Sequence, residues 1–97
     1  MKCIVVLPCY NEEANMNPLI KRIAKTLYPL PYEIIAVDDR STDATADILR
    51  KLKKDYSVVL VQHEQNKGYS AAMRTGFENA IKRATDESVI VTMDADM

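Results

Sequence analysis

Apolar residues in this chain gather into four short, nearly unbroken runs: "CIVVL" at 3–7, "YEIIAV" at 32–37, "SVVLVQ" at 57–62 and "SVIVTM" at 88–93. Their Val and Ile content and their continuity predict strands buried on both faces, as in a parallel sheet. Between the runs the period changes to that of a helix. Met16, Leu19, Ile20, Ile23 and Leu27 mark one stripe, and Thr45, Ile48, Leu49, Leu52 and Tyr56 a second. Ala72, Met73, Gly76, Phe77, Ala80, Ile81 and Ala84 mark a third, whose small residues would let it lie close against a sheet. Asn17 and Pro18 offer the first helix an N-cap followed by proline at the first helical position, with a start a few residues earlier as the alternative. Around the second helix, Ser41 and Asp43 read as capping residues. There Asp43 and Asp47 come early and Lys51, Lys53 and Lys54 late, an order that complements the helix dipole. The resulting order, β-α-β-α-β-α-β, predicts an α/β fold: a parallel sheet with right-handed crossovers and helices on both faces.

Length and composition narrow this picture. Ninety-seven residues make one small domain at most, with roughly two thirds of its unfolded-chain surface buried. A hydrophobic fraction of 47% and a charged fraction of 28% are ordinary for a soluble globular chain. Thirteen basic against 14 acidic residues leave a net charge of -1, so nucleic acid is not an expected partner. Cys3 and Cys9 form neither a disulfide framework nor a zinc motif, and reduced thiols in a cytoplasmic protein are expected. No run approaches the ~20 apolar residues of a membrane span, and "CIVVL" lacks the length and cleavage site of a signal peptide. The stretch "DADM" after the fourth run is too short to finish a sheet. The chain therefore reads as the front part of a larger domain.

The polar clusters "PCYNEE" (8–13), "DDRSTDAT" (38–45), "HEQNKGYSAAMRTG" (63–76) and "DADM" (94–97) all come directly after predicted strands. In an open α/β sheet the carboxyl ends of the strands form one rim, and ligands bind there where the strand order reverses. Convergence of four clusters on one rim predicts a shared site. Taken alone, Asp94 and Asp96 read as a solvated loop; their place after the fourth strand turns the reading, since two such carboxylates repel one another and a hard divalent cation would offset this. Asp39, projecting past the second strand beside Asp38, is placed to accept hydrogen bonds from a base or ribose. Gly68 stands where the third helix begins, and with Lys67 and Arg74 it suits an anionic group; a glycine turn with two solvated charges is the plain alternative. Tyr10 is either packing or a ring placed against a nucleobase. His63, the only histidine, reads as structural.

In order and spacing, "VVLPCYNEE", "AVDDRSTDAT", "NKGYSAAMRTG" and "VTMDAD" resemble the amino-terminal half of the family 2 glycosyltransferases. These are inverting enzymes of the GT-A, Rossmann-like fold that use nucleotide-diphospho-sugars. "RTGF" ahead of "TMDAD" is similar to the dolichyl- or polyprenyl-phosphate sugar transferase branch. The resemblance implies that Pro8, Tyr10 and Glu12 border the nucleobase and ribose, and that Asp39, with Asp38, binds the base or ribose. It implies Lys67, Gly68 and Arg74 near the ribose-diphosphate. Asp94 and Asp96 become the D-x-D pair that engages Mn2+ or Mg2+, with Asp94 also near the donor. Arg40 stands where many members have glycine or serine, Ala44 where glycine is common, and Ser70 replaces a frequent second glycine.

On this reading residues 1–97 are the donor-binding part of a domain truncated after its D-x-D motif, with the general base beyond residue 97. Such a piece is expected to bind a UDP- or GDP-linked donor without transferring sugar. It is expected to self-associate through its unfinished sheet. The complete enzyme is expected to act on a lipid-phosphate acceptor at the cytoplasmic membrane face. Two other readings stay open: a different α/β enzyme such as a D-x-D phosphatase, whose pair would follow the first strand, and a non-catalytic nucleotide-binding or interaction module.

Overall fold

The computed structural model describes residues 1–95 and contains every element the pattern predicts. In chain order these are β1 (Lys2–Cys9), α1 (Glu13–Leu27), β2 (Tyr32–Asp38), α2 (Thr45–Leu52), β3 (Val58–Gln62), α3 (Tyr69–Arg83) and β4 (Ser88–Thr92). All neighbouring strands pair parallel, in the order β3-β2-β1-β4. The chain thus winds outward from β1 to β3, then crosses back to place β4 on the other side of β1. That reversal makes the gap beyond the carboxyl ends of β1 and β4 the switch point of the sheet.

The continuous apolar runs are explained by burial on two sides. Val5, Leu7, Cys9, Ile34 and Ala36 face Met16, Leu19, Ile20 and Ile23 of α1 and Leu49 and Leu52 of α2. Their neighbours Ile4, Val6, Ile35 and Val37 face Ala72 and Ala80 of α3. Helix α3 lies over β1 and β2. The outer part of its stripe stays exposed, Phe77 at 38% and Ile81 at 65%. Val89 on the edge strand β4 is also exposed, on the face opposite α3. Among the described residues no helix is long and apolar enough to cross a membrane.

Gly76 is what allows α3 to come so close. A Cβ there would stand 2.3 Å from Val6 Cγ1. Gly76→Ala is accordingly expected to destabilise the fold by about 1–3 kcal/mol, since overpacking outweighs the gain in helix propensity. Urea unfolding of the two proteins measures it; an equal or higher midpoint in the variant would disprove the tight contact.

Of the two starts open to α1, the structure takes the earlier one. The helix starts at Glu13, so Pro18 lies inside it and not at its first position. Pro18 and Ala14, the residue whose carbonyl loses its partner, are both exposed, so water can satisfy the freed group. The earlier start comes from tertiary contacts, in which Thr45 and Asp43 accept from the amides of Glu12 and Glu13.

At the opposite end of the sheet, Glu33 at the start of β2 ties α3 to the strands. Arg83 donates from Nε to Oε1 and Oε2 at 3.0 and 3.1 Å, and from Nη2 to Oε2 at 2.5 Å. Lys2 Nζ lies 2.8 Å from Oε1. The Arg83 hydrogen bonds, opposed by burial and aided by Lys2, hold the Glu33 carboxyl down at about 2.

Candidate functional site at the strand switch point

The first two rim loops are laced together. Asn11 N–H donates to Ser41 Oγ at 3.0 Å, and Thr42 N–H donates to Asn11 Oδ1 at 2.8 Å. Glu12 N–H donates to Thr45 Oγ1 at 2.9 Å. Glu13 N–H donates to Asp43 Oδ2 at 3.4 Å, and Ala44 N–H returns a bond to Glu13 Oε2 at 3.2 Å. Asp43 also accepts from Thr45 N–H at 2.9 Å, so one carboxylate serves the first turns of both α1 and α2. This exchange satisfies N–H groups that a helix start leaves open, and it fixes where α1 begins.

Ser41, expected as a cap, does something else. Its hydroxyl donates a short hydrogen bond to Asp38 Oδ1, and its N–H donates to the same oxygen. Asn11 and Arg40 occupy the left-handed region, at φ 51° and 59°. Asparagine tolerates that conformation, whereas arginine there costs about 1 kcal/mol or more relative to glycine. The Arg40 guanidinium holds the carbonyl of Glu64 at 3.3 Å.

Asp39 organises the third loop. It is 3% exposed, yet it borders the rim cleft. His63 Nδ1 and Lys67 N–H each lie 2.8 Å from Oδ1, and Gly68 N–H lies 2.9 Å from Oδ2. Asn66 Nδ2 donates to the Asp39 carbonyl at 3.2 Å. Burial pushes the Asp39 carboxyl up, but the bonds from His63, Lys67 and Gly68 prevail and hold it below the usual range. Gly68, at φ 93°, turns the chain into α3, as the sequence predicts.

These loops enclose a cleft of about 720 Å3, within the range of small-molecule sites. Pro8, Cys9, Tyr10 and Glu12 line it after β1, and Asp39 after β2. Asn66, Gly68, Tyr69 and Ala72 line it around the start of α3, and Asp94 and Ala95 after β4. Of the residues singled out from sequence, Pro8, Tyr10, Glu12, Asp39, Gly68 and Asp94 therefore share one cavity. Asp38, Lys67 and Arg74 are not brought into its wall. Asp38 is buried and committed to Ser41, while the Lys67 and Arg74 side chains are exposed outside the wall. Asp96 lies outside the described residues.

Sequence reasoning missed Asn66 and Tyr69. Tyr69 Oη donates to Asp94 Oδ1 at 3.0 Å, joining the start of α3 to the end of β4 across the switch point. Only the strand order, which puts β4 beside β1, discloses this pair. Cys9 borders the cleft but is no nucleophile. Burial, with the nearby charges of Asp38 and Glu12, pushes its thiol up to about 12, so it stays protonated.

Comparison with known proteins gives this geometry its context. The model of "Glycosyl transferase family 2" matches residues 4–97. A dolichol-phosphate mannosyltransferase of Pyrococcus furiosus is 39% identical over 97 residues, covering 100% of this chain and 26% of that protein. The structure of S. aureus TarS 1-349 with UDP-GlcNAc superposes with a TM-score of 0.79 at 30% identity, over 99% of this chain and 27% of that one. The mannosyltransferase PcManGT of Pyrobaculum calidifontis, in complex with GDP-Man and Mn2+, gives 0.68 at 31% identity, over 97% and 27%. The chain spans about a quarter of the length of these relatives. Nearly its whole length matches the family model, and its parallel sheet has the architecture of these GT-A neighbours. The chain belongs to the family 2 glycosyltransferases.

Proposed function

We propose that residues 1–97 form the donor-binding part of an inverting glycosyltransferase that takes a sugar from a UDP- or GDP-linked donor and passes it to a polyprenyl phosphate at the cytoplasmic face of a membrane. The observation that carries this reading is the cleft at the β1/β4 switch point, into which all four motif loops send residues. Tyr10, 46% exposed at its wall, is placed to stack on a base. Asp39 is placed to accept a hydrogen bond from base or ribose, and the first N–H groups of α3 beyond Gly68 suit the diphosphate. Asp38, Lys67 and Arg74 act from outside the wall, Asp38 by holding the 38–41 turn. The polyprenyl-phosphate acceptor is supported by the likeness to the Pyrococcus furiosus enzyme. The general base is expected outside these residues.

Asp94 is exposed, with Tyr69 as its hydrogen-bond partner among the described residues. A carboxylate so placed fits a hard cation in kind, since Mn2+ and Mg2+ take oxygen ligands. No group of three or more His, Cys, Asp or Glu residues gathers among the described residues. Asp96 and oxygens of the donor diphosphate would therefore have to complete the shell. When bound, such a cation neutralises charge on the leaving diphosphate. The exposed Phe77 and Ile81, with the open β4 edge, also favour association of this piece with a second copy.

Calorimetric titration of the full chain with UDP and with GDP, with and without Mn2+, tests the assignment. Mn2+ is expected to tighten binding. Asp94→Asn and Asp96→Asn should each remove most of that gain, about tenfold or 1.4 kcal/mol, while metal-free affinity stays near that of the parent. Full retention of the gain in both variants would take the carboxylates out of the site.

A further inference from the structure

We propose that His63 is a positioning residue for the nucleoside end of the cleft, acting through Asp39 and held in turn by Thr75. The inference rests on the nucleotide-binding reading above. His63 directly follows β3 at 8% exposure, and neither it nor Thr75 borders the cleft. Both ring nitrogens are engaged, Nδ1 with Asp39 Oδ1 at 2.8 Å and Nε2 with Thr75 Oγ1 at 2.8 Å.

The chemistry of the partners sets the direction of these bonds. Asp39, held ionised by its donors, only accepts, so Nδ1 carries the proton that it shares. On the other side, the Thr75 hydroxyl donates to an unprotonated Nε2 and turns to accept from a protonated one. The relay from α3 to β2 is therefore complete in either ring state. An ionised carboxylate has about four acceptor directions. His63, Lys67 N–H and Gly68 N–H take three of them. The one left, on Oδ2, serves an N–H or O–H donor of a nucleoside in the cleft. Without His63 and Thr75 the carboxylate could rotate, and the 66–68 backbone bound to it would move as well.

Thr75 supplies the test, because valine copies its shape without the hydroxyl and serine restores the hydroxyl. The full chain is titrated with UDP and GDP in EDTA, and hydrogen exchange of the Lys67 and Gly68 amides is followed in the same proteins. Thr75→Val is expected to weaken whichever nucleotide binds by about threefold to tenfold, the loss of one hydrogen bond. It should speed exchange at both amides by a similar factor, with the melting temperature lowered by only a few degrees. Thr75→Ser should remain within about twofold of the parent in both readouts. His63→Phe, which removes both bonds, should exceed the Thr75→Val effect; if it fails to fold, the Thr75 pair decides. Equal exchange and affinity in the parent, valine and serine forms, or equal loss in the valine and serine forms, would overturn the relay. A parent chain that binds neither nucleotide, with the exchange pattern as expected, would instead refute the nucleotide reading and leave the relay standing.

Discussion

Asp39→Ala is expected to lower the unfolding free energy by about 3–5 kcal/mol, because it strands three donors at once, one on a buried ring and two on part-buried amides. The His63 ring and the N–H groups of Lys67 and Gly68 all lose their acceptor, and each such loss costs about 1–3 kcal/mol. The site fails for the same reason. The loop that leads into α3 is built on this carboxylate, so nucleotide binding should fall by more than the single hydrogen bond that a ligand contact alone would explain. Urea unfolding measures the stability, and hydrogen exchange at residues 66–68 reports the loop. Its pH dependence has a defined sign. Asp39 titrates lower in the folded chain than in the unfolded one, so its contribution is complete above the unfolded carboxyl value of about 3.9 and is lost as pH falls below it. A variant with parent-like stability and protected amides would show that Asp39 does not hold the loop.

Glu33→Gln is expected to cost about 2 kcal/mol at neutral pH without touching the cleft. A carboxyl lowered from 4.5 to about 2 corresponds to roughly 3 kcal/mol at most. Solvent screening reduces this figure, since the Lys2 and Arg83 side chains are 38% and 44% exposed. Because the folded value lies below the unfolded one, the stabilisation is present above pH 4.5 and disappears as pH falls toward 2. Parent and variant should therefore differ at pH 7 and converge near pH 2. A constant difference across that range would mean that the cost is one of shape and not of charge. Unchanged nucleotide affinity in the variant would confirm that this end of the sheet is only a fastening.

The strands and the class of fold were legible in the residue pattern because burial on two faces demands unbroken apolar runs, and "IVVL" and "IIAV" have no other economical use in a chain of this length. The rim position of the polar clusters was legible too, since each simply comes after a strand. The boundaries were not. Asn17–Pro18 is a sound local start signal, and it was overridden by bonds from Asp43 and Thr45, some 30 residues away, which hold the amides of Glu13 and Glu12.

The division within the site has the same cause. By itself the sequence determined that Pro8, Tyr10, Glu12, Asp39, Gly68 and Asp94 sit at strand ends or a helix start, because periodicity sets position along an element. Which of them face one cavity, and what each side chain has already bonded, depends on the lateral order of strands and on contacts between loops distant in the chain. Tertiary structure alone placed β4 beside β1, and so brought Tyr69 to Asp94. It alone turned Asp38 inward to Ser41, and made the only histidine the partner of Asp39. A hydrogen bond needs two groups within about 3 Å at a suitable angle, and one-dimensional spacing carries no such distance between segments joined only through the sheet.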